Sequence, residues 1–126
     1  MPGLERIRGL RVVADPAALD GARWSGDGVT VLRVAPDEAL AIGATAVEVD
    51  DTEAIVVHET GFAATAVALD ALAPHLEWSL PTARPGFAQG SIAGVPAKLW
   101  LTDDGATLVV QAAYADDLTA RLGWRS

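Results

Sequence analysis

The stretch Phe87–Leu122, FAQGSIAGVPAKLWLTDDGATLVVQAAYADDLTARL, sets the expectation for the whole chain. It reads as strand, turn, strand, turn, strand and closing helix. Phe87 to Ala93 is the first strand, and Gly94-Val95-Pro96 turns it into a second, Ala97 to Thr102. Successive side chains of a strand point to opposite faces, so Lys98, Trp100 and Thr102 share one face and Leu99 and Leu101 the other. Asp103-Asp104-Gly105 is a hairpin signal, because glycine supplies the positive φ such a turn needs. Strand Thr107 to Ala112 pairs back. About Ala113 to Leu122 a helix directs Tyr114, Leu118 and Leu122 at the sheet. Its acids Asp116 and Asp117 lie in the first turn and Arg121 in the last, which suits the helix dipole, and Gly123 stops it.

Upstream, residues 77–86 (EWSLPTARPG) form a loop punctuated by proline and glycine. Before it, Thr60 is a candidate N-cap for a helix over Gly61 to Ala73, whose apolar stripe is Phe62, Ala66, Leu69, Leu72 and Ala73. Pro74 ends that helix, since it cannot donate to the ladder. Ala54 to His58 has β character, Asp50-Asp51-Thr52 breaks the chain, and Thr45 to Val49 is a short strand. Val29 to Val34 is a strand rich in β-branched residues, entered through the turn Gly26-Asp27-Gly28 and left through the corner Ala35-Pro36-Asp37-Glu38. Ala39 to Gly43 reads as a second, mostly buried strand; its unbroken apolar run also suits a helix, because so short a run carries no period. Residues 1–23 are an N-terminal arm or first strand, with strand character at Leu10 to Ala14 ended by Asp15-Pro16. The expected fold class is α+β, an antiparallel sheet with helices packed on one face, and residues 24–126 form a single α+β domain.

Composition narrows the function classes. A chain of 126 residues fits one domain and buries enough surface to fold without a staple. It contains no cysteine, which removes disulfides, thiolate chemistry and Cys-based zinc sites and fits a cytoplasmic location. The net charge of −8 opposes nucleic acid and anionic membranes as partners, since both reward clustered Lys and Arg. Arg6, Arg8 and Arg11 concentrate at the start and read as a solvated face. No apolar run approaches the roughly 20 residues of a membrane span, and the charged N-terminus does not resemble a signal peptide.

Candidate chemistry is sparse. His58-Glu59 and His75-x-Glu77 carry metal-ligand types, yet their spacing matches no zinc arrangement. Asp50-Asp51, Asp103-Asp104 and Asp116-Asp117 are adjacent acids that project to different sides, as turn and cap residues do. Ser25, Ser79 and Ser91 stand outside any nucleophile-elbow motif, and Gly90 to Gly94 lacks the lysine of a phosphate loop. The expectation is therefore no catalytic residue and no metal site. Four tryptophans are the conspicuous feature. Trp78, Trp100 and Trp124 are candidates for partner contact, because an indole gains most where a large apolar body with one polar edge is covered.

Three stretches resemble the sarcosine oxidase gamma-subunit family, within the glycine-cleavage T-protein or folate-binding aminomethyltransferase-like group. Val34-Ala35-Pro36-Asp37-Glu38-Ala39-Leu40-Ala41-Ile42 is similar to the family's L-G-P-D-E-W-L-L-L. Phe87 to Trp100 is similar to its A-Q-T-x-L-A-G-V-P-V-L-L-W. Ala113-Tyr114-Ala115-Asp116-Asp117-Leu118 is similar to the S-[FY]-A-x-x-L opening of its last helix. The chain departs from the pattern at Ala39, at Ala112-Ala113 and at Val56 to Thr60, and it is shorter.

The resemblance implies a folate-binding-domain-like fold. It also implies a non-catalytic accessory subunit that docks on a larger flavin- or folate-dependent amine oxidase or aminomethyltransferase-like partner. Cofactors, flavin or tetrahydrofolate, would then belong to that partner and none to this chain. Two alternatives stand beside it. One is a free-standing small-molecule binder with Arg84, Gln89 and Tyr114 around a folate-like pocket. The other is a self-associating domain that pairs through strand edges.

Overall fold

The structure is a computed structural model that describes residues 4–124. Its strands are β1 (Glu5–Val13), β2 (Arg23–Ala35), β3 (Glu38–Glu48), β4 (Ile55–Val67), β5 (Gly86–Ile92), β6 (Val95–Thr102) and β7 (Gly105–Gln111). The helices are α1 (Pro16–Asp20), α2 (Leu69–Leu72) and α3 (Ala115–Leu122), with 3-10 turns at Ala73–His75 and Ala112–Tyr114. Strand accounts for 56% and helix for 19%. The expected α+β class, with helices layered on one face as in a folate-binding domain, is thereby overturned in favour of a predominantly antiparallel β protein. Among the described residues no helix is long and apolar enough to cross a membrane.

The largest correction concerns the helix expected over Gly61 to Ala73. That segment is the second half of β4, and Phe62 through Val67 pair antiparallel with Gln111 through Ala106 of β7. The reason lies in alanine. In FAATAV the small side chains satisfy a period of two as readily as one of 3.6. A lone helix of that length is marginal in water, whereas the ladder with β7 pairs the backbone groups along one edge of the segment. Thr60 accordingly lies within a strand and caps nothing. Helical structure begins only at Leu69 and lasts one turn, with Leu72 fully buried.

The chain clusters into two compact units, residues 7–60 and residues 61–124 with 4–6. In the latter, the strand order is β4-β7-β6-β5, antiparallel throughout. Along β6 the burial alternates without a break. Leu99 and Leu101 are buried with Ile92, Leu108, Val110, Leu72 and Leu118 in one core. Each such side chain contributes roughly 1.5–3 kcal/mol by leaving water. From α3 the buried residues are Ala115, Leu118, Thr119 and Leu122. Tyr114, expected among the sheet-directed residues, is instead 40% exposed in the preceding 3-10 turn. Gly123 closes the helix at φ 74.

The β5–β6 turn is one residue earlier than expected. Ile92 pairs with Val95, which leaves Ala93 and Gly94 as a two-residue loop with φ 50 and φ 83. Positive φ at both positions matches the right-handed twist of the flanking strands. Ala93 adopts it at a cost, offset by two bonds: its N–H donates to the His75 carbonyl at 3.3 Å, and its carbonyl accepts from Arg121 Nη1 at 2.8 Å.

In residues 7–60 the order is β2-β3-β1. Gly26-Asp27-Gly28 does not separate two elements: β2 runs on through it with register shifts on either side. Likewise β3 absorbs Ala39 to Gly43 and, of the expected strand Thr45 to Val49, all but Val49, which resolves the open choice at Ala39 against a helix. Leu10, Val12, Leu19, Ala39 and Ala41 form its core, with Trp24 packed alongside. Arg11 pairs with Glu38 at 2.6 Å and with Glu59 at 3.7 Å, and Arg33 pairs with Asp20.

Candidate functional site

The face of β4-β7-β6-β5 opposite its core carries a site built from convergent side chains of mixed chemistry. Cross-strand register defines its rows. Gln89 lies opposite Lys98, Lys98 opposite Val109 and Val109 opposite Ala64. In the next row Phe87 lies opposite Trp100, Trp100 opposite Thr107 and Thr107 opposite Ala66. Residues directly opposite on one face have Cβ atoms about 4.5–5.5 Å apart, so each row is a line of touching side chains. On the other side of the Lys98 row, Phe62 lies opposite Gln111.

These rows enclose an open cavity of about 290 Å³ lined by Phe62, Gln89, Ser91, Pro96, Lys98, Val109 and Gln111, with backbone from Gly90, Ala97 and Val110. Its volume stands at the small end of ligand pockets. The floor is apolar: Val109, which lines it, is 1% exposed although it belongs to the outer face. The rim is polar, with two primary amides, a hydroxyl and one ammonium. Lys98 is the sole lysine of the sequence. It is half-buried, and among the described residues its ammonium takes part in no ion pair. The strand below is held from the core side by Trp78. Its indole covers Gly90, where an added Cβ would lie 2.7 Å from the ring, and its Nε1–H donates to the Ser91 carbonyl at 2.8 Å.

The residues singled out from sequence scatter with respect to this cavity. Gln89 lines it. Arg84 does not: its Nη1 donates to the carbonyls of Pro81 at 2.6 Å and Ala83 at 2.9 Å, folding the guanidinium back on its own loop. Tyr114 is not among the lining residues either. Of the tryptophans proposed for partner contact, Trp124 is 5% exposed and Trp78 packs against the core, while Trp100 stands half-buried on the outer face. His58 is exposed on β4 and His75 half-buried after α2. Among the described residues no group of three His, Cys, Asp or Glu side chains is placed to hold a metal ion.

Sequence reasoning missed Lys98 and Phe62 as site residues. Phe62 was assigned to a helix stripe, so its place beside β7 was invisible. Lys98 had a usable signal, a lone cation on the polar side of the clean alternation V-P-A-K-L-W-L-T.

Elsewhere one carboxylate is held by backbone donors. The Asp51 carboxylate accepts the Asp15 N–H at 2.8 Å and the Glu53 N–H at 2.9 Å. These bonds, the one from Asp15 foremost, hold its pKa below the ordinary carboxylate value. They fasten the start of α1 to the turn before β4 and serve shape. No protein-family model matches this chain, and no curated protein matches it.

Proposed function

We propose that the protein is a binding module that takes a small organic ligand on the outer face of β4-β7-β6-β5. The observation that supports this reading is the cavity of about 290 Å³, with an apolar floor at Val109 and a rim of Gln89, Lys98 and Gln111. A concave apolar surface with a few convergent polar groups is the general form of a ligand site. Such a module would act in the cytoplasm, as the absence of cysteine suggests. Thermal denaturation against a panel of small organic acids, amides and folates tests it, since a ligand at about 100 times its dissociation constant stabilises by roughly 2.7 kcal/mol. Stabilisation abolished by Phe62→Ala places the ligand in the cavity; no stabilisation by any member of the panel refutes the reading.

A second reading is favoured by Trp100. Half-buried beside Phe87 on the same face, it offers the kind of anchor that dominates protein interfaces. The chain would then be the accessory subunit that the sequence resemblance implies, docked on a larger flavin- or folate-dependent partner that holds the cofactor. Co-purification with such a subunit, lost in Trp100→Ala, is its expected signature.

A further inference from the structure

We propose that the cavity is a monocarboxylate site, in which Lys98 and the flanking glutamine amides receive the carboxylate and Phe62, Pro96 and Val109 hold an apolar body. The inference rests on the preceding reading and names the class of ligand.

The argument begins with the surroundings of the one ammonium group. The other cations near α3 and the β5 loop are engaged: Arg121 bonds the Ala93 carbonyl at 2.8 Å and pairs with Asp117 at 3.2 Å, and Arg84 caps its own loop. Lys98 has no such partner among the described residues, and its register neighbours are a glutamine on β5 and a buried valine on β7. In a chain of net charge −8, a half-buried lysine facing neutral groups is an uncompensated positive centre. An anion placed there gains a charge-assisted bond in a partly water-excluded setting, which is stronger than its neutral equivalent.

The number of donors selects among anions. One ammonium and the primary amides of Gln89 and Gln111 suit a group with two oxygens and a single charge. A phosphate dianion calls for more, normally an arginine fork or the amide cluster of a helix N-terminus, and neither lines this cavity. The net charge of −8 on the chain also opposes a second negative charge on the ligand. Phe62 and Pro96 flank an apolar floor, so a carboxylate joined to a compact apolar group fits both halves of the site.

The test uses the full chain and three probes: 3-phenylpropionate, its neutral analogue 3-phenylpropionamide, and inorganic phosphate. Binding is followed through the backbone amide resonances of Gln89, Lys98 and Gln111 in nitrogen-15-labelled protein. The expected result is saturable shifts with the acid, an affinity at least tenfold above that of the amide, and phosphate weaker than the acid. Lys98→Met should reduce the acid-over-amide preference to within twofold, and Lys98→Arg should retain most of it. Both variants are checked for an unchanged spectrum outside the cavity. Equal binding of acid and amide, or phosphate binding as tightly as the acid, overturns the monocarboxylate assignment while leaving a ligand site in place. Absence of shifts with all three probes overturns it together with the reading beneath it.

Discussion

Gly90→Ala probes the support beneath the site, because the packing on one face of β5 positions the side chains on the other. An alanine Cβ at this position would lie 2.7 Å from Trp78 Cε2, 2.9 Å from Cζ2 and 3.0 Å from Nε1. Carbon atoms in contact prefer about 3.5–4.0 Å, so the ring must retreat by roughly 0.8 Å. That retreat stretches the bond from Nε1 to the Ser91 carbonyl, now 2.8 Å, toward the limit of hydrogen bonding. Overpacking costs about 1–3 kcal/mol and the weakened bond about 0.5–1.5 kcal/mol. Replacing glycine in a strand returns about 0.5–1 kcal/mol. The net expectation is a loss of roughly 1–3 kcal/mol, or about 4–10 °C in Tm for a domain of this size. Urea denaturation measures it. The decisive comparison repeats the substitution in a Trp78→Ala background, where nothing remains to collide with. There Gly90→Ala should become neutral or stabilising by up to about 1 kcal/mol. An equal loss in both backgrounds would refute the claim that Trp78 is seated on Gly90.

Further consequences are open to measurement. Trp124→Ala should cost about 3–5 kcal/mol in urea, as for a buried aromatic, because the indole is 5% exposed; Trp100→Ala, on the outer face, should cost distinctly less. In the β5–β6 loop, Gly94→Ala should lose about 1–2 kcal/mol of stability. It requires φ 83 and brings a Cβ within 2.7 Å of Arg121 Nη1. Ala93→Gly should instead be neutral or stabilising by up to about 1 kcal/mol, because φ 50 no longer opposes a side chain. Asp51→Asn should reduce stability at neutral pH and flatten its acid limb. A depressed folded-state pKa stabilises above the ordinary value of 3.8 and is lost as pH falls from there through the lowered one. Denaturation between pH 7 and pH 2 shows whether that slope disappears.

How much of this was readable from the sequence depended on the size of the side chains involved. β6 was legible from Ala97 onward, since Leu99 and Leu101 alternate with Lys98, Trp100 and Thr102; its first two residues, Val95 and Pro96, were read as turn. The end of α3 was legible as well, from its arginine and Gly123, whereas its start lies at Ala115 and not at about Ala113. β4 was not legible. Ala63, Ala64 and Ala66 present nearly the same small surface in any conformation, so the register with β7 that decides the matter is a long-range fact. Losing β4 meant losing the helix-to-sheet balance and one wall of the cavity. Trp78 was open to two readings for a related reason. An indole beside prolines, such as Trp78, suits an exposed anchor or a cover for a bare backbone, and only the glycine opposite distinguishes the two.

The same size pattern explains why a concavity exists on a face that a half-solvated sheet would normally keep polar. In β7 three successive residues, Leu108, Val109 and Val110, are buried, which is the signature of a strand covered on both faces. Leu108 and Val110 belong to the core, but Val109 points away from it. Next to Val109, on β4, stands Ala64, too short to rise above the sheet, while Lys98 stands on the other side and Phe62 one row away. Long side chains around a short one leave a hollow, and the hollow is floored by Val109, which is 1% exposed. A lysine stem can lie along such an apolar floor and bring its ammonium to the rim. A buried valine on β7 with one lysine opposite it on β6 therefore accounts for the apolar floor and the charge of the site together.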